Sequence, residues 1–127
     1  MLFAVELDRR LKDKRIRAVA IHPGGIRTEL MRHMDPEFMA NYVAKATKGL
    51  APIAMKTPEQ GAATTLWAGF RAPAEDVGGR YCEDCEVSEV AEVDPGVRKG
   101  VRPYAVDPER AKALWALSER MVREIFP

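Results

Sequence analysis

The stretch Ile16-Arg17-Ala18-Val19-Ala20-Ile21-His22-Pro23-Gly24-Gly25-Ile26-Arg27-Thr28 decides the fold. Ala18 to Ile21 form a short continuous apolar run containing β-branched residues. Such a run fits a strand buried on both faces of a parallel sheet. It stops at Pro23-Gly24-Gly25, where a strand cannot continue. Open parallel sheets bind ligands just beyond the carboxyl ends of their strands. The chain thus sets a glycine turn, able to bring backbone close to a ligand, and the Thr28 hydroxyl where such a sheet holds one. The same residues also suit a tight strand-to-helix turn with Thr28 as its cap.

Working outward, Phe3, Leu7 and Leu11 recur at helical spacing, while Glu6, Arg9, Arg10 and Asp13 are expected to face water. Glu6 and Arg10 form an i, i+4 pair of favourable order. No capping residue precedes Leu2, and a domain rarely opens on an uncapped apolar helix, so this chain is expected to be part of a longer one. Asp35-Pro36-Glu37, Thr57-Pro58-Glu59 and Asp107-Pro108-Glu109 each read as a helix start: a side-chain cap, proline at the first helical position, then an acid. Thr57 with Gln60 has capping-box spacing. The expected apolar faces are Met39, Tyr42, Val43 and Ala46, then Ala63, Leu66, Trp67 and Phe70, then Ala111, Leu114, Trp115, Val122 and Ile125. Trp67 and Trp115 are expected in the core. Val77 to Cys82 reads as a turn into a short strand, and residues 83–106 as mostly irregular. The expected order is helix, strand, helix, helix, strand, long loop, helix.

With 127 residues the chain fits one domain at most. Its 46% hydrophobic and 31% charged residues exclude a disordered polar tail. A net charge of +1 gives no general drive toward nucleic acid or anionic membrane. The basic segment Arg98-Lys99-Gly100-Val101-Arg102 is short and offset by acids between Glu83 and Glu92, so it reads as a solvated loop. No apolar run approaches the ~20 residues of a membrane span. Met1 to Val5 is apolar, but Glu6, Asp8 and Arg9 follow at once, unlike a secretory signal. Two cysteines do not make a disulfide scaffold, and a cytoplasmic location is expected.

Several of these segments carry a family resemblance. His22-Pro23-Gly24-Gly25-Ile26-Arg27-Thr28-Glu29-Leu30 resembles the cofactor-side loop of the short-chain dehydrogenases/reductases, in their retinol-dehydrogenase-like and WW-domain-oxidoreductase-like branch. Leu2 to Leu11 resembles the helix after that branch's catalytic Tyr-x-x-x-Lys, Gly78 to Cys85 its last strand, and Asp107 to Trp115 its terminal helix. The resemblance covers nearly the whole chain. It implies an α/β fold, the C-terminal part of a Rossmann-like, doubly wound parallel sheet. Residues 1–127 would then be the C-terminal part of one NAD(P)-binding domain whose N-terminal half is absent. The family's Gly-rich phosphate turn, Asn-Ala-Gly segment, catalytic Ser and Tyr-x-x-x-Lys lie upstream of the matching region and do not occur in this sequence.

The resemblance implies an oxidoreductase that passes hydride between NAD or NADP and an alcohol or carbonyl substrate. It assigns cofactor contact to Pro23, Gly24, Gly25, Ile26 and Thr28. The backbone near Ile26 would meet the nicotinamide carboxamide, and the Thr28 hydroxyl the carboxamide or a phosphate. The following residues begin a variable substrate loop, with Arg27, Met31, His33 and Met34 as substrate-side candidates. Methionines give an adaptable apolar lining there; the same stretch also reads as a charged, solvated surface. His22 stands beside the expected nicotinamide, but the family assigns acid–base chemistry to its Tyr, so no catalytic residue is expected in this chain. Cys82-Glu83-Asp84-Cys85 follows a strand and contains two acids, which argues against a redox motif, and the ligands for a structural zinc are lacking. The alternative is a catalytically inactive remnant or interaction protein. An exposed sheet edge and uncovered helix faces would make the chain self-associate.

Overall fold

A computed structural model describes residues 1–46, 55–92 and 99–126; the side chains of Met31, Tyr42, Val43, Lys45 and Ala46, and residue Arg98, lie outside what it describes. The expected apolar run becomes strand β1, Ala20–His22, and the second expected strand becomes β2, Tyr81–Glu83. They pair in parallel, Ala20 opposite Tyr81, Ile21 opposite Cys82 and His22 opposite Glu83. Parallel neighbours require a long crossover. The crossover holds helix α2, Pro36–Ala46, helix α3, Pro58–Leu66, which runs on into a wide π-type turn over Trp67–Arg71, and the short helix α4, Ala74–Val77. Helix α1, Leu2–Leu11, precedes β1, and helix α5, Pro108–Val122, closes the order.

The proline-led helix starts form as read. Asp35 accepts from the Phe38 amide, Asp107 accepts from the Glu109 and Arg110 amides, and Thr57 and Gln60 complete a reciprocal capping box. These are local interactions, so they follow from sequence spacing alone.

The sheet differs from an all-parallel one. A third strand, β3, Glu86–Val87, pairs antiparallel with β2 inside the segment expected to be irregular. The connection is a two-residue turn in which Asp84 and Cys85 both take positive φ, 49° and 59°. A two-residue hairpin of this kind normally shows itself through Asn-Gly or Asp-Gly. Asp-Cys carries no such signal. Beyond it, Val90 and Val101 form a parallel bridge.

Helix α1 corrects the expectation for its faces. Glu6 and Asp8 are buried, whereas Phe3 is about half exposed. Each of these two carboxylates accepts three hydrogen bonds. Glu6 accepts from Arg9 at 2.6 and 2.8 Å and from Arg10 at 2.7 Å. Asp8 accepts the fork of Arg17 at 2.8 and 2.9 Å and the Ala18 amide at 3.0 Å. Asp8 therefore ties α1 to the residues leading into β1. Its carboxyl is held below the usual range, first by the Arg17 bonds.

The apolar side of α1 faces α5. Phe3 meets Trp115 with ring centroids 5.9 Å apart, and the Arg10 guanidinium lies 4.7 Å from the centre of the Trp115 ring. Phe3, Leu7, Trp115, Val122 and Phe126 line an open groove of about 570 Å³. Trp115 and Ala111 are core, as expected. Ile125 lies beyond the end of α5, which closes at Arg123 in the left-handed region, and it is 92% exposed. On α3 the buried positions are Gly61 and Thr64, with Ala68 in the π-type turn, while Leu66 and Phe70 are exposed and Trp67 is half-buried. That helix uses its small residues for contact, so the expected large apolar stripe points outward.

Glu6 yields a pH prediction. The Arg9 hydrogen bonds, opposed by burial and helped by Arg10, lower its pKa to about 2. A lowered carboxyl pKa contributes stability above the unfolded value, and that contribution is lost as pH falls through the folded one. Acid titration should therefore remove helix between pH 4.5 and about 2. Glu6→Gln should be less stable by about 1.5–3 kcal/mol at neutral pH and should flatten the pH dependence of melting in that window.

Candidate functional site

The loop after β1 is built by backbone pairing with a segment thirty residues away in sequence. The Lys56 amide donates to the Gly25 carbonyl at 2.8 Å, and the Arg27 amide donates to the Lys56 carbonyl at 3.0 Å. Ile26 and Lys56 thus form an isolated parallel bridge. In a parallel pair, this pattern turns the N–H and C=O of the bridged residue to the opposite side. The Ile26 amide and carbonyl have no partner among the described residues. A donor and an acceptor side by side on one residue can bond a planar carboxamide, which offers both.

Two glycines make this geometry possible. Gly24 has φ +89°, and an added Cβ would stand 3.0 Å from Lys56 Nζ, so the turn rests on the lysine stem. At Gly61, on α3, an added Cβ would lie 2.2 Å from Ile26 Cδ1. The Ile26 side chain therefore seats against bare helix backbone, and its main chain is held by both neighbours at once.

Thr28 Oγ1 accepts from the Leu30 amide at 3.3 Å, at the start of a 3-10 turn over Glu29–His33. Thr28 is exposed. Accepting this bond leaves the hydroxyl proton free to be donated elsewhere. Its structural role as a cap and a ligand role are therefore compatible. Pro23, Gly24, Gly25, Ile26 and Thr28 lie together on this one loop. Arg27 within it, and His33 and Met34 beyond it, are exposed, with Arg32 Nε donating to His33 Nε2 at 2.9 Å.

The neighbouring β2–β3 turn meets the loop through charge. Lys56 Nζ lies 2.5 Å from Asp84 Oδ1, and Lys99 Nζ lies 3.1 Å from Asp84 Oδ2. These bonds, Lys56 first and Lys99 next, hold the Asp84 carboxyl below its ordinary range. The buried Thr64 hydroxyl accepts from the Cys85 amide at 3.2 Å, fixing the turn to α3. Sequence reading missed Lys56, Asp84 and Gly61. Each acts across the fold, and the only local hint is that Lys56 precedes the Thr57 cap.

His22 is exposed at the end of β1, stacked on Tyr81, with Nδ1 4.0 Å from Glu83 Oε2. Glu83 is itself buried and accepts from Ser88 Oγ at 2.8 Å and the Gly100 amide at 2.7 Å. Cys82 is fully buried, which pushes its thiol pKa up, and Cys85 is exposed; both are free thiols. Among the described residues no group of three or more His, Cys, Asp and Glu side chains could hold a metal, and no helix is long and apolar enough to cross a membrane.

Comparisons with known proteins place the chain in a family. It is 37% identical over 117 residues to the "Short-chain dehydrogenase/reductase prx1" of Penicillium roqueforti, covering 92% of this chain and 34% of that protein. It is 40% identical over 120 residues to a "Probable oxidoreductase" of Streptomyces lividans, covering 91% of this chain and 39% of that one. It is 33% identical over 122 residues to mouse "Retinol dehydrogenase 14", covering 96% of this chain and 32% of the relative. No family model matches, and no solved structure matches. With homologues of this kind across nearly all its length, the chain belongs to the short-chain dehydrogenase/reductase family, and it spans about a third of the length of the curated relatives it matches.

The seat of Ile26 can be tested by packing. Gly61→Ala should overfill it, at a cost of about 1–3 kcal/mol, partly offset by alanine's better helix propensity of about 1 kcal/mol. Ile26→Val removes the methyl at 2.2 Å, the worse of the two clashes, and leaves Cγ1 at 2.8 Å to be relieved by a small shift. Alone it should cost about 0.5–1.5 kcal/mol. In the Gly61→Ala background it should be neutral or stabilising. Thermal melting of the four proteins checks this sign reversal.

Proposed function

We propose that this chain supplies the nicotinamide-side loop, substrate loop and closing strands of an NAD(P)-dependent oxidoreductase. One observation carries the proposal: the Ile26 amide and carbonyl, turned away from Lys56 and free of other described partners, beside the free Thr28 hydroxyl proton. Pro23, Gly24 and Gly25 bring the main chain to the carboxyl end of β1, where open α/β sheets bind their ligands. Ile26 would bond the carboxamide and fix which face of the nicotinamide is presented. Thr28 would donate to the carboxamide oxygen or a phosphate. The bound cofactor supplies hydride or accepts it. Arg27, Met31, His33 and Met34 would border the substrate, an alcohol or carbonyl compound. Retinol, named for one relative, is such an alcohol. The residues present fit the nicotinamide end only, since the family's phosphate turn and Tyr-x-x-x-Lys are not among these 127 residues. The whole enzyme would combine this segment with those upstream elements in a single Rossmann-like domain.

The exposed apolar surface at Phe3, Leu30, Leu66 and Phe70 supports a second statement about the polypeptide by itself. It should self-associate and carry no hydride transfer of its own. Purified chain mixed with NADH or NADPH and a panel of aldehydes and ketones should leave the reduced-cofactor absorbance unchanged. Light scattering should show oligomers. Turnover surviving rigorous purification would assign acid–base chemistry to a residue of this chain, His22 first.

The cofactor reading itself is tested in a longer protein that joins this segment to the family's upstream half. There Thr28→Ala should raise the apparent KM for cofactor several-fold, the loss of a hydrogen bond worth about 1 kcal/mol. Thr28→Ser should restore it. An unchanged KM with a lowered melting temperature would leave Thr28 a cap alone.

A further inference from the structure

We infer that the Lys56–Asp84 ion pair is a positioning device that pins the Gly24–Arg27 backbone and so aims the Ile26 amide and carbonyl, which have no partner among the described residues. Its functional meaning rests on the cofactor reading of this loop; its geometry does not.

Lys56 acts on the loop at two levels. Its main chain bonds Gly25 and Arg27 on either side of Ile26. Its side chain runs beneath Gly24, where an added Cβ would meet Nζ, Cε and Cδ at 3.0, 3.1 and 3.2 Å. The stem ends on Asp84, at the tip of the β2–β3 turn. That tip is anchored independently, through the Cys85 amide on buried Thr64 and through Lys99 on the other Asp84 oxygen. The Lys56 side chain is thus stretched between a fixed turn and the loop it supports. A lysine released from Asp84 would recover rotamer freedom under Gly24, and the residue's main-chain bonds would open more often. The Lys56 side chain is 26% exposed and that of Asp84 42%, so the pair is a small contributor to global stability. Its effect is concentrated where the backbone must hold one orientation.

The variants Lys56→Met, Asp84→Asn and their combination test this on the full 127-residue chain. Methionine keeps an unbranched apolar stem without the charge. Asparagine tolerates the left-handed conformation of position 84. Hydrogen exchange read by mass spectrometry compares the segment Pro23–Leu30 with α5. Each single variant should speed exchange of the loop about five-fold, corresponding to a pair worth ~1 kcal/mol, with α5 unmoved. The double variant should be no faster than Asp84→Asn alone, because loss of the carboxylate already removes the Lys56 pair together with the Lys99 pair. About 1 M salt should loosen the wild-type loop but not that of the double variant. Unchanged loop exchange, additive effects in the double variant, or equal acceleration in α5 would each overturn the inference. Nicotinamide mononucleotide, added to the longer protein that joins this segment to the family's upstream half, separates this from the cofactor reading. Slower loop exchange with the probe supports both. Loop exchange that responds to the variants but not to the probe upholds the pinning and removes the cofactor reading.

Discussion

The parallel pairing of β1 with β2 is the constraint on which the rest depends. Their residues are about sixty positions apart in the chain, yet each of Ala20, Ile21 and His22 stands opposite its partner in register. Parallel strands cannot be joined by a short turn. The chain must leave the carboxyl end of β1, cross the sheet and return to start β2 at the same end as β1. Everything between, including α2 and α3, is the crossover. The pairing also brings the carboxyl ends of β1 and β2 side by side. The glycine loop of one and the hairpin turn of the other then meet, and Lys56 can bridge them.

A second constraint sets where β1 begins. The Asp8 carboxylate takes three donors from Arg17 and Ala18, a set that leaves no room for a slip of the incoming chain. A one-residue slip would reverse the facing of Ala20 and Ile21 in the sheet. Burial of a charge is tolerable only with its partners in place. So a polar contact fixes the register of an apolar strand. Helix α1 is held from its polar side, and its Phe3 and Leu7 are left lining the groove against α5.

This division explains what was legible in the sequence. The helix caps at Asp35, Thr57 and Asp107 formed as read because capping involves residues three apart at most. β1 and β2 were legible because an apolar run ended at Pro-Gly-Gly and another strand began after Gly-Gly. β3 was not, because Asp84 and Cys85 adopt positive φ without glycine, supported by Lys56, Lys99 and Thr64 from elsewhere. The burial of Glu6 and Asp8 was not legible because an amphipathic pattern reports polarity, while an acid whose charge is matched by arginine can turn inward. The outward Leu66 and Phe70 have the opposite cause: α3 packs through Gly61 and Thr64, residues that a hydrophobic pattern passes over. The loop residues from Pro23 to Thr28 were found by motif, but their arrangement depends on Lys56, which pairs with them only in the folded chain.

The loop shows how a site can be held rigid without a rigid sequence. Two glycines remove side chains at the points of closest approach, Gly24 over the lysine stem and Gly61 beneath Ile26. Glycine normally loosens a chain by enlarging its conformational freedom. Here each one admits a neighbour that restores the restriction, a charged stem in one case and a branched apolar side chain in the other. Lys56 spends its main-chain groups on Gly25 and Arg27, which leaves the groups of Ile26 unspent among the described residues. A loop whose hydrogen bonds were all satisfied internally would have nothing to offer a ligand. One paired only with water would have no fixed direction. Alternation along an isolated parallel bridge gives both results at once: odd groups hold, even groups are free to recognise. The Thr28 hydroxyl repeats the division in a single side chain, accepting from Leu30 to shape the turn while keeping its proton available outward.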